Sequence, residues 1–242
     1  MSAAPAAGPV EVTRTDGANR TARWYGAGLL AAFAVIAVPV VLRWPALSAG
    51  DLAVDVAAHG LVLREQLLLA VTRAVTATGS PVGVNIITSL VAGALLYRRR
   101  IGPAAYLVVA RLIELGVQTA VKNLVRRPRP VWPDPLAHAG GFSFPSGHSA
   151  GTAVLCTSLL VLALPACRRR ARWVGAVAVV LAAAATVSVA ASRVLLGVHY
   201  PSDVLGGVLL GIACALLLRP VLTTVNRGAA RPASTAGSIA DR

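Results

Sequence analysis

PAAYLVVARLIELGVQTAVKNLVRRPRP, residues 103–130, is the stretch whose reading decides the fold. From Pro103 to Val121 it is apolar and, at about 1.5 Å per residue as a helix, long enough to cross a hydrocarbon layer of roughly 30 Å. Arg111 and Glu114, three residues apart, share a face in this reading and pair inside a bundle. The character then changes abruptly. Lys122 closes the span, and Arg126, Arg127 and Arg129 follow with Pro128 and Pro130, which end the helix and turn the chain. This is the pattern of a membrane helix emerging at a polar surface.

The same grammar recurs on both sides of it. Apolar segments run from Tyr25 to Leu42, Pro81 to Tyr97, Ser146 to Pro165, Trp173 to Ala191 and Asp203 to Leu218, six spans in all with the one above. Between the first two, residues 44–78 are interrupted by Asp51, Asp55, His59, Arg64, Glu65 and Arg73, with Leu61, Leu67, Leu68 and Val71 at helical spacing. That segment is predicted to be amphipathic and interfacial, not a span. The expected fold is all-α: a polytopic membrane protein of six transmembrane helices with this additional segment. Residues 1–22 and 223–242 are expected to be disordered tails around a six-helix membrane domain, 23–222. Residues 1–22 contain no apolar run of the kind a signal peptide needs.

Composition agrees. The chain is 56% hydrophobic and 13% charged, with a mean hydropathy of +0.71, against roughly 25% charged residues in soluble domains. A net charge of +14 invites a nucleic-acid reading, but the arginines gather at the ends of apolar runs instead of forming one basic face, so no nucleic-acid partner is expected. Cys156, Cys167 and Cys214 form no CxxC pair, which argues against zinc and a disulfide framework. Leu162 and Trp173 stand six residues after the first two, where a cysteine phosphatase would need arginine. No metal site, no cofactor and no particular oligomeric state is indicated.

The arginines also orient the chain. Arg14, Arg20 and Arg23, then Arg98–Arg100, then Arg168–Arg172, then Arg219, Arg227 and Arg231 all fall on one side of a six-span topology. The positive-inside rule makes that side cytoplasmic, along with both termini. Arg126, Arg127 and Arg129 fall on the opposite, outer side and break the rule. Arg126 and Arg127 are read as contacts to lipid headgroups or substrate, and Trp44, Trp132 and Trp173 as members of an aromatic belt.

Three polar motifs converge on that outer face. Lys122 and Arg129 lie at the end of the third span, Pro145-Ser146-Gly147-His148 opens the fourth, and Ser192-Arg193, His199 and Asp203 bridge the fifth and sixth. Lys122, Arg129 and Arg193 supply fixed cations of the kind a phosphate needs as its oxygens gather charge. Ser146 and Gly147 precede a helix whose first N–H groups favour an anion. Asp203, four residues after His199, can reach its ring if the chain is helical there, fixing the tautomer and leaving the other nitrogen free to attack.

Together these residues resemble the three-part signature of the type 2 phosphatidic acid phosphatase family, in its integral-membrane branch, over about residues 25–220. The resemblance implies a metal-independent, two-step phosphoryl transfer with no cofactor. In it His199 is the nucleophile that forms a phosphohistidine, Asp203 orients it, and His148 protonates the leaving group and then activates water. Lys122, Arg129, Arg193, Ser146 and Gly147 hold the phosphate. The implied activity is hydrolysis of a lipid phosphate or diphosphate (an isoprenoid diphosphate, phosphatidic acid or phosphatidylglycerol phosphate) among membrane lipids at the cell membrane. Two alternatives stay open: transfer of the phosphoryl group to another acceptor, and non-catalytic binding or transport of a lipid phosphate.

Overall fold

The computed structural model describes residues 9–222, which form eight helices and no strand. In chain order these are α1 (Pro9–Val41), α2 (Pro45–Arg64), α3 (Gln66–Thr78), α4 (Pro81–Tyr97), α5 (Ile101–Val125), α6 (Gly147–Arg170), α7 (Arg172–Leu195) and α8 (Pro201–Leu217). Helix α1 extends back into the stretch read as a tail. Asn19 and Ala22 are buried, and Arg219 donates to Asn19 Oδ1 at 3.1 Å, so one face of this extension packs on the bundle. The rest of the expected tails, 1–8 and 223–242, lies outside the described residues.

Helices α1, α2, α5, α6 and α7 are each long and apolar enough to cross a membrane. Helices α3 and α4 meet the same test together, bent by 47° at Gly79–Ser80, and α8 is a shorter apolar helix. Ser80 caps α4 by accepting from the Gly83 N–H at 3.0 Å, and Pro81 follows at the first helical position, where its missing N–H costs nothing.

The segment read as amphipathic, 44–78, is two helices, and the first is inverted relative to an interfacial one. Asp51, Asp55, His59 and Val62 of α2 are buried, whereas Leu52, Val56 and Leu63 are exposed. Four-residue spacing gathers the polar side chains on one stripe, and that stripe faces the protein.

Helix α6 is the central element, in contact with α4, α5, α7 and α8. Glycines on α8 let it lie close. A Cβ on Gly207 would stand 2.5 Å from the Ser146 carbonyl oxygen, and one on Gly211 would strike the Ala150 carbonyl oxygen. Small residues are the usual means of bringing membrane helices together, because lipid offers no hydrophobic drive for it. Away from the polar end, Tyr106, Ala110, Val154, Leu210, Cys214 and Ala215 form the core, and the Tyr106 hydroxyl donates to the Ala215 carbonyl at 2.8 Å. The buried Arg111–Glu114 pair forms as expected, with Arg111 Nε also donating to Asn85 Oδ1 at 2.9 Å.

Candidate active site

Helix α5 delivers Lys122 in its last turn and ends at Arg126, which adopts a left-handed φ of 49°. That cap and the two prolines turn residues 127–143 back across the end of the bundle. Lys122 Nζ donates to the Phe142 carbonyl at 2.7 Å, and Arg129 Nη2 reaches the same oxygen at 3.2 Å. Arg129 also donates to the carbonyls of Gly140, Gly141 and Val198 at 2.7–3.0 Å. The return of Arg129 towards Lys122, expected from the prolines, is therefore a shared anchorage on one loop.

Ser146 caps α6, its side chain accepting from the Ser149 N–H. Its own N–H is already engaged, donating to the Asp203 carbonyl at 2.9 Å. The helix start thus leaves the N–H groups of Gly147 and His148, not that of Ser146, without intrahelical acceptors. Gly147 meets a packing demand as well: a Cβ there would stand 2.7 Å from Gln118 Oε1 on α5. His148, half-buried in the first turn, lies within electrostatic range of Arg193, His199, Arg129 and Lys122.

Helix α7 carries Arg193 in its last turn, 5% exposed, with Nη1 donating to Thr76 Oγ1 at 2.7 Å and Nε without a hydrogen-bond partner among the described residues. The chain then turns through Gly197, at φ 67°, where Trp132 and His59 stand too close for a Cβ. His199 follows, 2% exposed, and α8 begins two residues later. Asp203, fully buried in the first turn of α8, accepts from the Tyr200 N–H at 3.0 Å and faces His199 Nδ1 at 3.4 Å through the same oxygen, Oδ2. The other ring nitrogen, Nε2, lies 2.9 Å from Arg129 Nη1. Guanidinium can only donate, so Nε2 is the acceptor and Nδ1 carries the proton. Burial is the main cause that pushes the His199 pKa down to about 4, against the upward pull of Asp203. The ring is therefore neutral at neutral pH.

Arg127, read as a contact to lipid headgroups or substrate, is engaged within the protein, and Trp132, read as part of an aromatic belt, packs on a histidine. Arg127 Nη1 donates to Asp203 Oδ1 and Nη2 to Asp51 Oδ2, each at 2.7 Å. Trp132 stacks on His59 with ring centroids 4.2 Å apart and donates to the Gly197 carbonyl at 2.9 Å. Asp51 is the other residue the sequence did not reveal. Its position, four residues from another aspartate on a segment of mixed polarity, carried no recognisable pattern. Asp134 and His138 are exposed loop residues. Among the described residues no group of three or more His, Cys, Asp and Glu side chains could hold a metal ion.

A helical bundle rich in apolar spans, with three basic side chains drawn around a His–Asp pair at one end, defines a multi-pass membrane protein built to handle phosphate. Residues 103–227 match the PAP2 superfamily. Phosphatidylglycerophosphatase B of Bacillus subtilis is 34% identical over 178 residues, which cover 72% of this chain and 84% of that protein. Decaprenylphosphoryl-5-phosphoribose phosphatase of Mycobacterium tuberculosis is 33% identical over 183 residues, 71% of this chain and 90% of that protein. The crystal structure of a transmembrane PAP2-type phosphatidylglycerolphosphate phosphatase from Bacillus subtilis superposes with a TM-score of 0.69 at 28% identity, over 86% of this chain and 98% of that one. The chain belongs to the PAP2 superfamily and is a membrane lipid phosphatase.

Proposed function

We propose that this phosphatase works through a phosphohistidine on His199. The observation that carries the reading is the ring's two-sided constraint: Nδ1 faces Asp203, and Nε2 faces the guanidinium of Arg129. In the first step Nε2 attacks phosphorus, the bond from phosphorus to the lipid oxygen breaks, and His148 protonates that oxygen. Asp203 stabilises the positive charge that develops on the ring. In the second step His148 takes a proton from water, the oxygen attacks phosphorus, and the N–P bond breaks to release inorganic phosphate and neutral His199. Lys122, Arg129, Arg193 and the N–H groups at the start of α6 balance the charge on the equatorial oxygens.

The substrate is a phosphate monoester or diphosphate on a long hydrocarbon. A cleft of about 290 Å³ supports this, lined by Gly79, Val84, Thr152, Leu155, Ser188 and Val189. Thr152 lies one helical turn from His148 and Val189 one turn from Arg193, about 6 Å further into the bundle. A lipid with phosphorus at His199 can lay its chain there. The names of the relatives offer phosphatidylglycerol phosphate and polyprenyl phosphates as the chemistry to try first. In this reading the arginine clusters mark the cytoplasmic side, both termini lie there, and the site opens on the outer face.

The test is purified protein in detergent with EDTA, assayed for phosphate release from a panel of lipid phosphates. Release is expected from wild type and from no His199→Ala sample. Activity persisting in that variant sinks the mechanism, and transfer to an added alcohol with no phosphate release favours a phosphotransferase. Cysteine labelling that placed residue 146 in the cytoplasm would overturn the orientation.

A further inference from the structure

The polar stripe of α2 meets the loop that carries the nucleophile. Asp51, 4% exposed, receives three hydrogen bonds: Arg127 Nη2 at 2.7 Å and, from Ser202, the N–H at 3.0 Å and the hydroxyl at 2.5 Å. Arg127 turns its other nitrogen to Asp203 Oδ1 and to Ser202 Oγ, both at 2.7 Å, while its guanidinium lies 4.1 Å above the Tyr200 ring. One arginine fork thus bridges two buried carboxylates, one on α2 and one on α8. Burial acts to lower the proton affinity of Arg127, and Asp203 and Asp51 more than reverse it.

The bridge divides the work of Asp203. Oδ1 is held by Arg127, which leaves Oδ2 for His199 Nδ1 and the Tyr200 N–H. Rotation about the Asp203 side chain would break the Arg127 contact, so the carboxylate is fixed with one oxygen towards the ring. Stability alone is a poor reason for such a device, because buried ion pairs are often matched or bettered by apolar residues of equal volume. Aiming a catalytic side chain is a better one, since rate falls steeply when reacting groups are misplaced.

We propose that Asp51 and Arg127 are positioning residues: Asp51 sets the Arg127 fork, Arg127 sets Asp203, and Asp203 in turn aims His199 Nε2 at phosphorus. The inference rests on His199 being the nucleophile. It gives α2 a function that its outward-facing leucines and valines conceal.

The experiment is steady-state kinetics on a water-soluble phosphate ester with full-length Asp51→Asn, Arg127→Gln, Arg127→Lys and the double variant Asp51→Asn/Arg127→Gln. Arg127→Gln is expected to lower kcat by about 10²-fold, the scale of one lost preorganised donor, with KM changed less than threefold. Asp51→Asn is expected to lower kcat about tenfold, and the double variant to be no worse than Arg127→Gln, because Asp51 acts through Arg127. Arg127→Lys keeps the charge but reaches only one carboxylate, so it restores part of the loss. Loss of the Arg127 charge lets Asp203 hold the Nδ1 proton more tightly, which moves the acid limb of kcat/KM to higher pH. A merely structural bridge would lower Tm and leave kcat per folded molecule and the pH limb unchanged. That result, or additive losses in the double variant, overturns the inference. If Asp51→Asn does not fold, the contrast between Arg127→Lys and Arg127→Gln decides it by the same readouts. Activity in His199→Ala would instead defeat the mechanism beneath it, an outcome separate from an inactive His199→Ala beside a fully active Asp51→Asn.

Discussion

Arg129 Nη1 lies 2.9 Å from His199 Nε2, on the side of the ring turned away from Asp203. The guanidinium covers the Nε2 lone pair, and the carbonyls of Gly140, Gly141, Phe142 and Val198 hold it there. A phosphate brings stronger acceptors than a neutral imidazole, so in the proposed mechanism Arg129 would pass from Nε2 to the phosphate oxygens. Arg129→Gln is expected to lower kcat/KM by about 10²–10³-fold. Arg129→Lys is expected to recover little, because a single ammonium cannot replace a fork fixed on four carbonyls. Inhibition by orthovanadate should weaken in parallel, and an unchanged vanadate affinity in Arg129→Gln would separate Arg129 from the phosphate.

In the proposed mechanism the acid side of the pH profile follows from His199. Its pKa of about 4, set first by burial, lies below the ordinary 6.5. The acid limb of kcat/KM is therefore expected near pH 4, not near 6.5. Asp203 pulls that pKa upward, so Asp203→Asn should move the limb lower still while reducing kcat by about 10³-fold or more. Stability changes in the same window. Above pH 6.5 the ring is neutral in both folded and unfolded chains. As pH falls from 6.5 to 4 the unfolded chain takes up a proton that the folded one refuses, and stability declines. Thermal unfolding in detergent across that range measures this separately from rate.

What could be read from the sequence was what is local in it. Lys122, Arg129, His148, Arg193, His199 and Asp203 stand at helix ends marked by prolines, glycines and abrupt loss of apolar character. Spacing alone placed Asp203 one turn from His199. The partners of Arg127 were hidden because Asp51 lies 76 residues away in a segment that reads as interfacial. Polar residues every fourth position suggest a wet face, and only the tertiary structure shows that this face is turned inward. Trp132 was hidden for the same reason: a tryptophan near a span end fits an aromatic belt until its stacking on His59 is seen. Asp55 shows how far local reading falls short. It is fully buried on the same stripe, with neither carboxyl oxygen hydrogen-bonded among the described residues.

Glycine at 207 ties packing to catalysis. A Cβ there would meet the Ser146 carbonyl oxygen at 2.5 Å and the Ala150 nitrogen at 3.2 Å, both backbone atoms that cannot swing aside. Gly207→Ala should force α6 and α8 apart, at a cost of about 1–3 kcal/mol. It should also disturb the Ser146 N–H bond to the Asp203 carbonyl. A lower Tm and a lower kcat are expected together. Gly93→Ala is the control: among the described residues no atom lies within 4 Å of the added Cβ, so Tm should hold or rise. Equal behaviour of the two variants would show that helix contact at 207 does not limit activity.

The cleft below His148 and Arg193 gives the sharpest test of what the enzyme accepts. Its lining is largely apolar, and the buried Thr152 hydroxyl, one turn below His148, has no hydrogen-bond partner among the described residues. An oxygen of the linkage between phosphate and hydrocarbon would satisfy that hydroxyl, with the chain continuing past Leu155 and Ser188. Ser188 is exposed on α7, so a larger side chain there can fill the cleft without entering the core. Ser188→Trp is expected to displace roughly two methylenes of a bound chain, at about 0.8 kcal/mol each. That corresponds to a rise in KM of about tenfold for a long-chain lipid phosphate. For a water-soluble phosphate ester, which leaves the cleft empty, kcat and KM should stay at wild-type values. Equal losses on both substrates would mean that the tryptophan distorts the catalytic end, and no loss on either would place the hydrocarbon elsewhere on the bundle.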